Sequence, residues 1–235
     1  MASYARVAGV ARVARVAQIA VPVLLAVALG ACGSASTGDA TAKVNGSIHV
    51  PTGVAASAVA TVNGSILVAD GAAVTTARTV NGHIAIGAHA TAQSLTTVNG
   101  AVTLGAGAQV SGGVTVVNGP ITLQNGASVA GRVANVNGAI RLDSARVSGG
   151  ITTVDGDVTV NGASQVEGGI TVKRPSGVFF HGSDAIPRIV IGPGAVVDGP
   201  LDFRHAVKLY VSPQAKIGPV QGATPIPFTG AAPPD

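Results

Sequence analysis

Aliphatic residues stand two apart along most of the chain: Ile48 and Val50, Ile66 and Val68, Ile84 and Ile86, Val102 and Leu104, Ile121 and Leu123, Ile140 and Leu142, Val158 and Val160. The residues between them are His49, Leu67, Ala85, Thr103, Thr122, Arg141 and Thr159, most of them polar or small. Alternation with period two puts successive side chains on opposite faces, so each pair predicts a short half-buried strand. The threes and fours of a helix are not sustained anywhere in this stretch. More apolar pairs follow at six-residue intervals: Ala108 and Val110 then Val114 and Val116 in one copy, Ala127 and Val129 in the next.

Each strand is introduced by a V-N-G triplet, or V-D-G in the last copy. Its central residues are Asn45, Asn63, Asn81, Asn99, Asn118, Asn137 and Asp155, spaced by 18, 18, 18, 19, 19 and 18 residues. A strict internal period means stacked copies of one small unit. Asn-Gly favours positive φ and a sharp turn, but antiparallel hairpins would need a unit about twice as long. Eighteen residues divide instead into three stretches of six, each spanning at most about 20 Å when extended. The expectation is therefore an all-β, single-stranded triangular β-solenoid (β-helix) of about 18 residues per coil. Gly105, Gly107, Gly112, Gly113, Gly126 and Gly131 suit its corners, and the 19-residue spacings suit one-residue insertions there. About nine coils, one strand spacing each, predict a rod some 40–45 Å long.

In such a stack each Asn lies about 4.8 Å above the previous one, and the side-chain amides can bond along the column as a ladder. The triplets then read as structure. A repeated calcium site would require several carboxylates per turn, and the column contains only Asp155, so no metal or cofactor is expected. The five histidines occupy different positions of the repeat, with no recurring carboxylate and no nucleophile elbow, which argues against an enzyme, including a hexapeptide-type acyltransferase. Thr61, Thr79, Thr97, Thr153 and Thr171 precede the triplets as an apparent column, the only feature favouring an ice-binding face, although Val116 and Asn135 interrupt it.

The ends differ from the body. Residues 1–31 read as an export signal: Arg6, Arg12 and Arg15 precede an uncharged, apolar run too short to span a bilayer comfortably. Leu29-Gly30-Ala31-Cys32 resembles the lipobox of bacterial lipoproteins, which implies cleavage before Cys32 and a lipid on its thiol. Cys32 is the only cysteine, so no internal disulfide competes for it. Residues 32–42 read as the lipidated cysteine and a flexible tether, 43–172 as the regular solenoid, 173–221 as atypical terminal coils and cap, and 222–235 as a proline-rich tail, extended or disordered. Past Asp155 the motif fades while an 18-residue period seems to continue through Val154, Val172 and Val190, with Val178 and Val196 in the next apolar slot. His181, His205, Arg188, Arg204 and Asp202 make this end the one candidate ligand site.

Net charge is +4, but three of the 14 basic residues lie in the signal, leaving 11 against 10 acids. With few aromatics as well, nothing recommends nucleic acid as a partner. The segment R-I-V-I-G-P-G-A-V-V-D-G-P-L from Arg188 to Leu201, continued by Ala215-Lys216-Ile217-Gly218, resembles the coils of bactofilins. That resemblance implies a right-handed β-helix and self-association through its ends; the sequence alone leaves handedness open. The V-N-G repeats are also similar to exported adhesin-like solenoids. The resulting expectation is a lipid-anchored envelope protein, on the periplasmic face or outer membrane, held to the membrane through Cys32. Its role would be scaffold, spacer or adhesion surface, with a bactofilin-like polymer as the alternative.

Overall fold

The computed structural model describes residues 35–37, 40–175, 186–230 and 232–233. These form 27 strands and no helix. One face is a ten-stranded parallel sheet: Ile48–Val50, Ile66–Val68, Ile84–Ile86, Val102–Leu104, Ile121–Leu123, Ile140–Asp143, Val158–Asn161, Arg188–Ile191, Lys208–Val211 and Pro225–Pro227. Ten strands mean ten coils, a β-solenoid about 43 Å long at the usual strand spacing. The tenth coil comes from the tail. Its strand is Pro-Ile-Pro, which carries no aliphatic alternation for a sequence reading to detect, yet Pro225, Ile226 and Pro227 pair with Leu209, Tyr210 and Val211.

The fourteen aliphatic residues of the first seven copies all point inward and are buried, from Ile48 and Val50 at 4% and 3% exposed to Val158 and Val160 at 0%. The pairs six residues further on (Ala108 with Val110, Val114 with Val116) are buried as well. Fully burying one such aliphatic side chain is worth about 1.5–3 kcal/mol, so the inward columns form one continuous core.

The second and third faces belong to one larger sheet. In the early coils a single nine-residue strand covers both: Ala55–Asn63, Ala73–Asn81 and Thr91–Asn99. The chain bends at Ser57, Thr75 and Gln93 without leaving the extended conformation, and these residues drop out of the pairing. From the fourth of these coils onward the corner is sharp. Gln109 and Val110 pair with Thr91 and Ala92, but Val114 pairs with Leu95, so one extra residue enters within Ser111-Gly112-Gly113. Each later coil keeps the longer corner. The return to 18 is therefore a deletion elsewhere: Leu123 and Ser128 are five apart, their partners Leu142 and Arg146 four apart. Ser144, at φ 50°, makes this shorter turn.

Two expectations about the ends are corrected. Ala35–Thr37 pairs antiparallel with Ala40–Ala42, and Ala40–Asn45 already runs in parallel register with Ala58–Asn63, so the solenoid begins inside the supposed tether. Small residues there gave no apolar alternation to reveal it. The second correction concerns the period, which does not continue past Asp155. Val158 pairs with Ile189 and Ile170 with Leu201, a shift of 31 residues that leaves the chain after Val172 as a detour before Arg188. Val190 and Val196 stand at outward positions, beside Thr159 and Gln165, whereas Val172 points inward beside Thr153. The aliphatic run Ile189-Val190-Ile191 hides this phase change, because either parity offers an apolar residue.

Candidate functional site

The triplet corner is built from three columns. Outermost are the asparagines, which form the expected ladder. Asn63 donates its Nδ2 to Asn45 Oδ1, Asn81 to Asn63, Asn99 to Asn81, Asn118 to Asn99 and Asn137 to Asn118, each at 3.0 Å. All six side chains are exposed. Asp155 keeps its place in register, its N–H donating to Val136 O at 2.9 Å. A carboxylate has no donor for Asn137 Oδ1, so the ladder ends there.

Next come the glycines. A Cβ at Gly64, Gly82 or Gly100 would collide with the carbonyl oxygen of the glycine one coil earlier, so the corner stacks this closely only with no side chain. Innermost is the threonine column, and here an expectation is overturned. Thr61, Thr79, Thr97 and Thr153 are 0–4% exposed and point into the core. Their hydroxyls serve the corner backbone: Thr61 bonds Gly46 O at 3.1 Å, Thr79 Gly64 O at 3.0 Å and Thr97 Gly82 O at 3.1 Å. At Thr153 the hydroxyl instead accepts from Gly156 N–H at 3.0 Å. Asn135 takes the same inward place and donates to Gly119 O and Gly138 O. Thr171 is not in this column, since it pairs with Thr152 and faces out. A buried hydroxyl column cannot present an ice-binding face.

The two ends of the ten-stranded sheet carry a feature that the sequence alone did not reveal. Ile48, Ile66 and Ile140 donate their N–H forward to the next coil, to Ser65 O, His83 O and Asp157 O, at 2.8–2.9 Å. Pro225 occupies this column in the last coil, and Pro227, two residues on, has the same orientation. Both forward donors are thus missing at the edge where a further strand would add. Phe228, of opposite parity, donates back to Val211 O at 3.3 Å. At the other end, Ala69, Gly87 and Gly105 donate backward to Val50, Val68 and Ile86. The first-coil member of that column is Pro51, with no N–H to leave unpaired. Beside it, Ala35–Thr37 covers the edge of the other sheet.

The terminal polar residues do not form one site. Arg188 lies over the Tyr210 ring at 5.4 Å on the ten-stranded face, where Val190, Tyr210 and Phe228 make a small outer cluster. Asp202 and Arg204 pair at 3.0 Å at the end of the third face, and His205 reaches Val154 O with Nε2 at 2.8 Å. His181 and the anchor candidate Cys32 lie outside the described residues. His49, His83 and His89 are exposed, and His83 shares a hydrogen bond with Ser65 Oγ at 2.9 Å. Among the described residues no three His, Cys, Asp or Glu side chains group as a metal site. A shallow groove runs along the second face, lined by Ala55, Ala73, Thr91, Gln109 and Ser128 and reaching Arg146, which pairs with Glu167. Its walls repeat small neutral side chains.

The chain is thus a β-solenoid by its architecture. It matches no protein-family model, no curated protein and no solved structure.

Proposed function

We propose that this is a non-enzymatic, lipid-anchored β-solenoid of the bacterial cell envelope, a free-standing rod that serves as scaffold, spacer or adhesion surface. The observation that carries this reading is a stack of ten coils whose ten-stranded sheet ends in proline on both sides. Sheet edges are natural templates for another chain, and proline is a common way to blunt them. The same observation favours a single rod over the bactofilin-like polymer. A second copy placed on Pro225–Pro227 would find backbone carbonyls and neither forward donor. The outward columns also suit a structural role, since they repeat alanine, threonine, serine and valine rather than reactive groups.

The membrane link rests on Cys32 and its lipobox. It gains some support from the start of the first strand at Ala35, which leaves only two residues between anchor and fold. In this reading the rod's first coil is held close to the bilayer surface, within about 10 Å of extended chain. Two experiments test the proposal. Electron microscopy and sedimentation of the protein lacking residues 1–31 should show monodisperse rods about 43 Å long, and filaments would overturn the monomeric reading. Substituting Cys32→Ser should move the protein from the membrane to the soluble fraction. Unchanged membrane retention, with no lipid detected by mass spectrometry, would overturn the anchor.

A further inference from the structure

The valine of each triplet stands on the outer surface of the third face. Val44, Val62, Val80, Val98, Val117, Val136 and Val154 are all half-buried and stack as one apolar stripe. Beyond Val154 the stripe changes character. Lys173 donates its N–H to Thr153 O and Arg204 to Val172 O, both at 2.9 Å, which places these two residues in the next two positions of the same column. Two cations therefore follow seven valines, with their backbones about one strand spacing apart.

Arg132, at the corner before Val133–Asn137, adds a third positive charge to the group. Its field and that of Arg204 reach the Lys173 ammonium. Burial first, then Arg132 and Arg204, hold the Lys173 pKa below the ordinary lysine value. Like charges on a partly buried lysine oppose its ionisation, and no carboxylate offsets them there. Asp202 is engaged by Arg204 Nε, and among the described residues Lys173 and Arg132 have no ion-pair partner. His205 reaches past Lys173 to Val154 O with Nε2. Since a carbonyl only accepts, Nε2 carries the proton, and Nδ1 remains available for a further hydrogen bond.

We propose that Lys173, Arg204 and Arg132 form a binding site for a phosphate group, at the point where the valine stripe ends. A phosphate supplies the missing negative charge, its oxygens suit the guanidinium fork, and the compact ammonium acts as a point charge beside it. The inference stands independently of the lipid anchor, because it needs only the packed third face. The phosphate is either a soluble ion or the headgroup of an anionic lipid, and one set of measurements separates these sources.

Inorganic phosphate titrated into the purified Cys32→Ser protein at low salt, followed by NMR, should give saturable shifts centred on Lys173 and Arg204. Chloride at matched ionic strength should not. In parallel, phosphatidylglycerol vesicles should sediment the protein if a headgroup is the ligand, with phosphatidylcholine vesicles as the control. Saturable binding in either arm supports the site and names its source. Lys173→Gln and Arg204→Gln should each weaken that binding by about tenfold, the value of one charge-assisted contact. Arg146→Gln, on another face and paired with Glu167, should leave it unchanged. Circular dichroism establishes that each variant is folded, and Lys173→Met serves if the glutamine variant is not. No saturable binding in either arm, or binding equally weakened by Arg146→Gln, would overturn the proposal.

Discussion

The asparagine ladder has a direction, which turns a single substitution into a test of its contribution. Each amide donates to the coil before it, at 3.0 Å throughout. Asn45 therefore only accepts, Asn137 only donates, and the four between them do both. Replacing Asn with Asp removes the donor and keeps the acceptor in nearly the same volume. At position 45 nothing is lost, and the bond from Asn63 becomes charge-assisted. At position 137 the single bond is lost and a carboxylate oxygen is left facing Asn118 Oδ1.

A hydrogen bond of this kind is worth about 0.5–1.5 kcal/mol net, towards the lower end where water competes. Asn45→Asp should stay within about 0.5 kcal/mol of the parent. Asn137→Asp should cost about 1–2 kcal/mol, combining one lost bond with the repulsion of two oxygens. Asn99→Ala, which deletes one donated and one accepted bond, should cost about 1–2 kcal/mol as well. Urea unfolding followed by circular dichroism measures all three, provided that the slopes agree with the parent and the transition remains cooperative. Acid gives an internal control. Protonating the new carboxyl at 137 restores a donor, so its folded-state pKa is raised, and the deficit is fully present above that pKa and shrinks as pH falls through it. Equal losses at 45 and 137, or no loss at 137, would refute the argument that the ladder stabilises the stack through directed amide bonds.

The other columns make their own predictions. Leu104→Ala, at a fully buried position, should lower stability by about 2–5 kcal/mol in the same unfolding assay. Gly82→Ala places a Cβ on the Gly64 carbonyl and should cost about 1–3 kcal/mol or prevent folding, seen as a lowered midpoint or loss of the β-sheet spectrum. Thr97→Val keeps the shape but leaves Gly82 O without its 3.1 Å partner, a loss of about 1–3 kcal/mol that Thr97→Ser should largely avoid. Pro225→Thr with Pro227→Val restores two forward N–H groups at the last strand and should raise the sedimentation coefficient with concentration; an unchanged monomer would show that proline is not what closes this edge.

Much of the architecture was legible because it is repetitive. The period-two pairs, the six-residue intervals and the Asn column each appear as a pattern in the sequence, and the structure places them as buried strands and a bonded ladder. What failed shares one physical cause, namely that sequence spacing reports register only while every coil has the same length. Val172 and Val190 are 18 apart, yet one faces in and the other out, because the detour after Val172 changes the phase. The threonine column was assigned to the surface on composition, since hydroxyls are usually outside. It lies inside because the corner carbonyls turn inward and require donors. The ends were least legible, since Pro51, Pro225 and Pro227 acquire meaning only when the direction of each N–H is known.

The coils vary in length, but the triplet corner does not. From Asn45 to Ile48, and at every later copy through Asp155 to Val158, the separation is three residues. The extra residue enters at Ser111-Gly112-Gly113, the deletion falls between Leu142 and Arg146, and the long detour follows Val172, after the last amide bond. The bonding explains this distribution. A slipped register at the triplet corner would break an outer amide bond and an inner hydroxyl bond together, and would drive a side chain into the glycine stack. The other corners hold mostly backbone bonds that one more residue can bypass as a bulge. The triplet therefore fixes the register of each coil on the last, and variation is confined to corners that do not carry it. A rod assembled in this way stays straight along one edge while its remaining surface is free to differ. That edge ends where Lys173 and Arg204 succeed the valines, which is also where the chain first departs from its repeat.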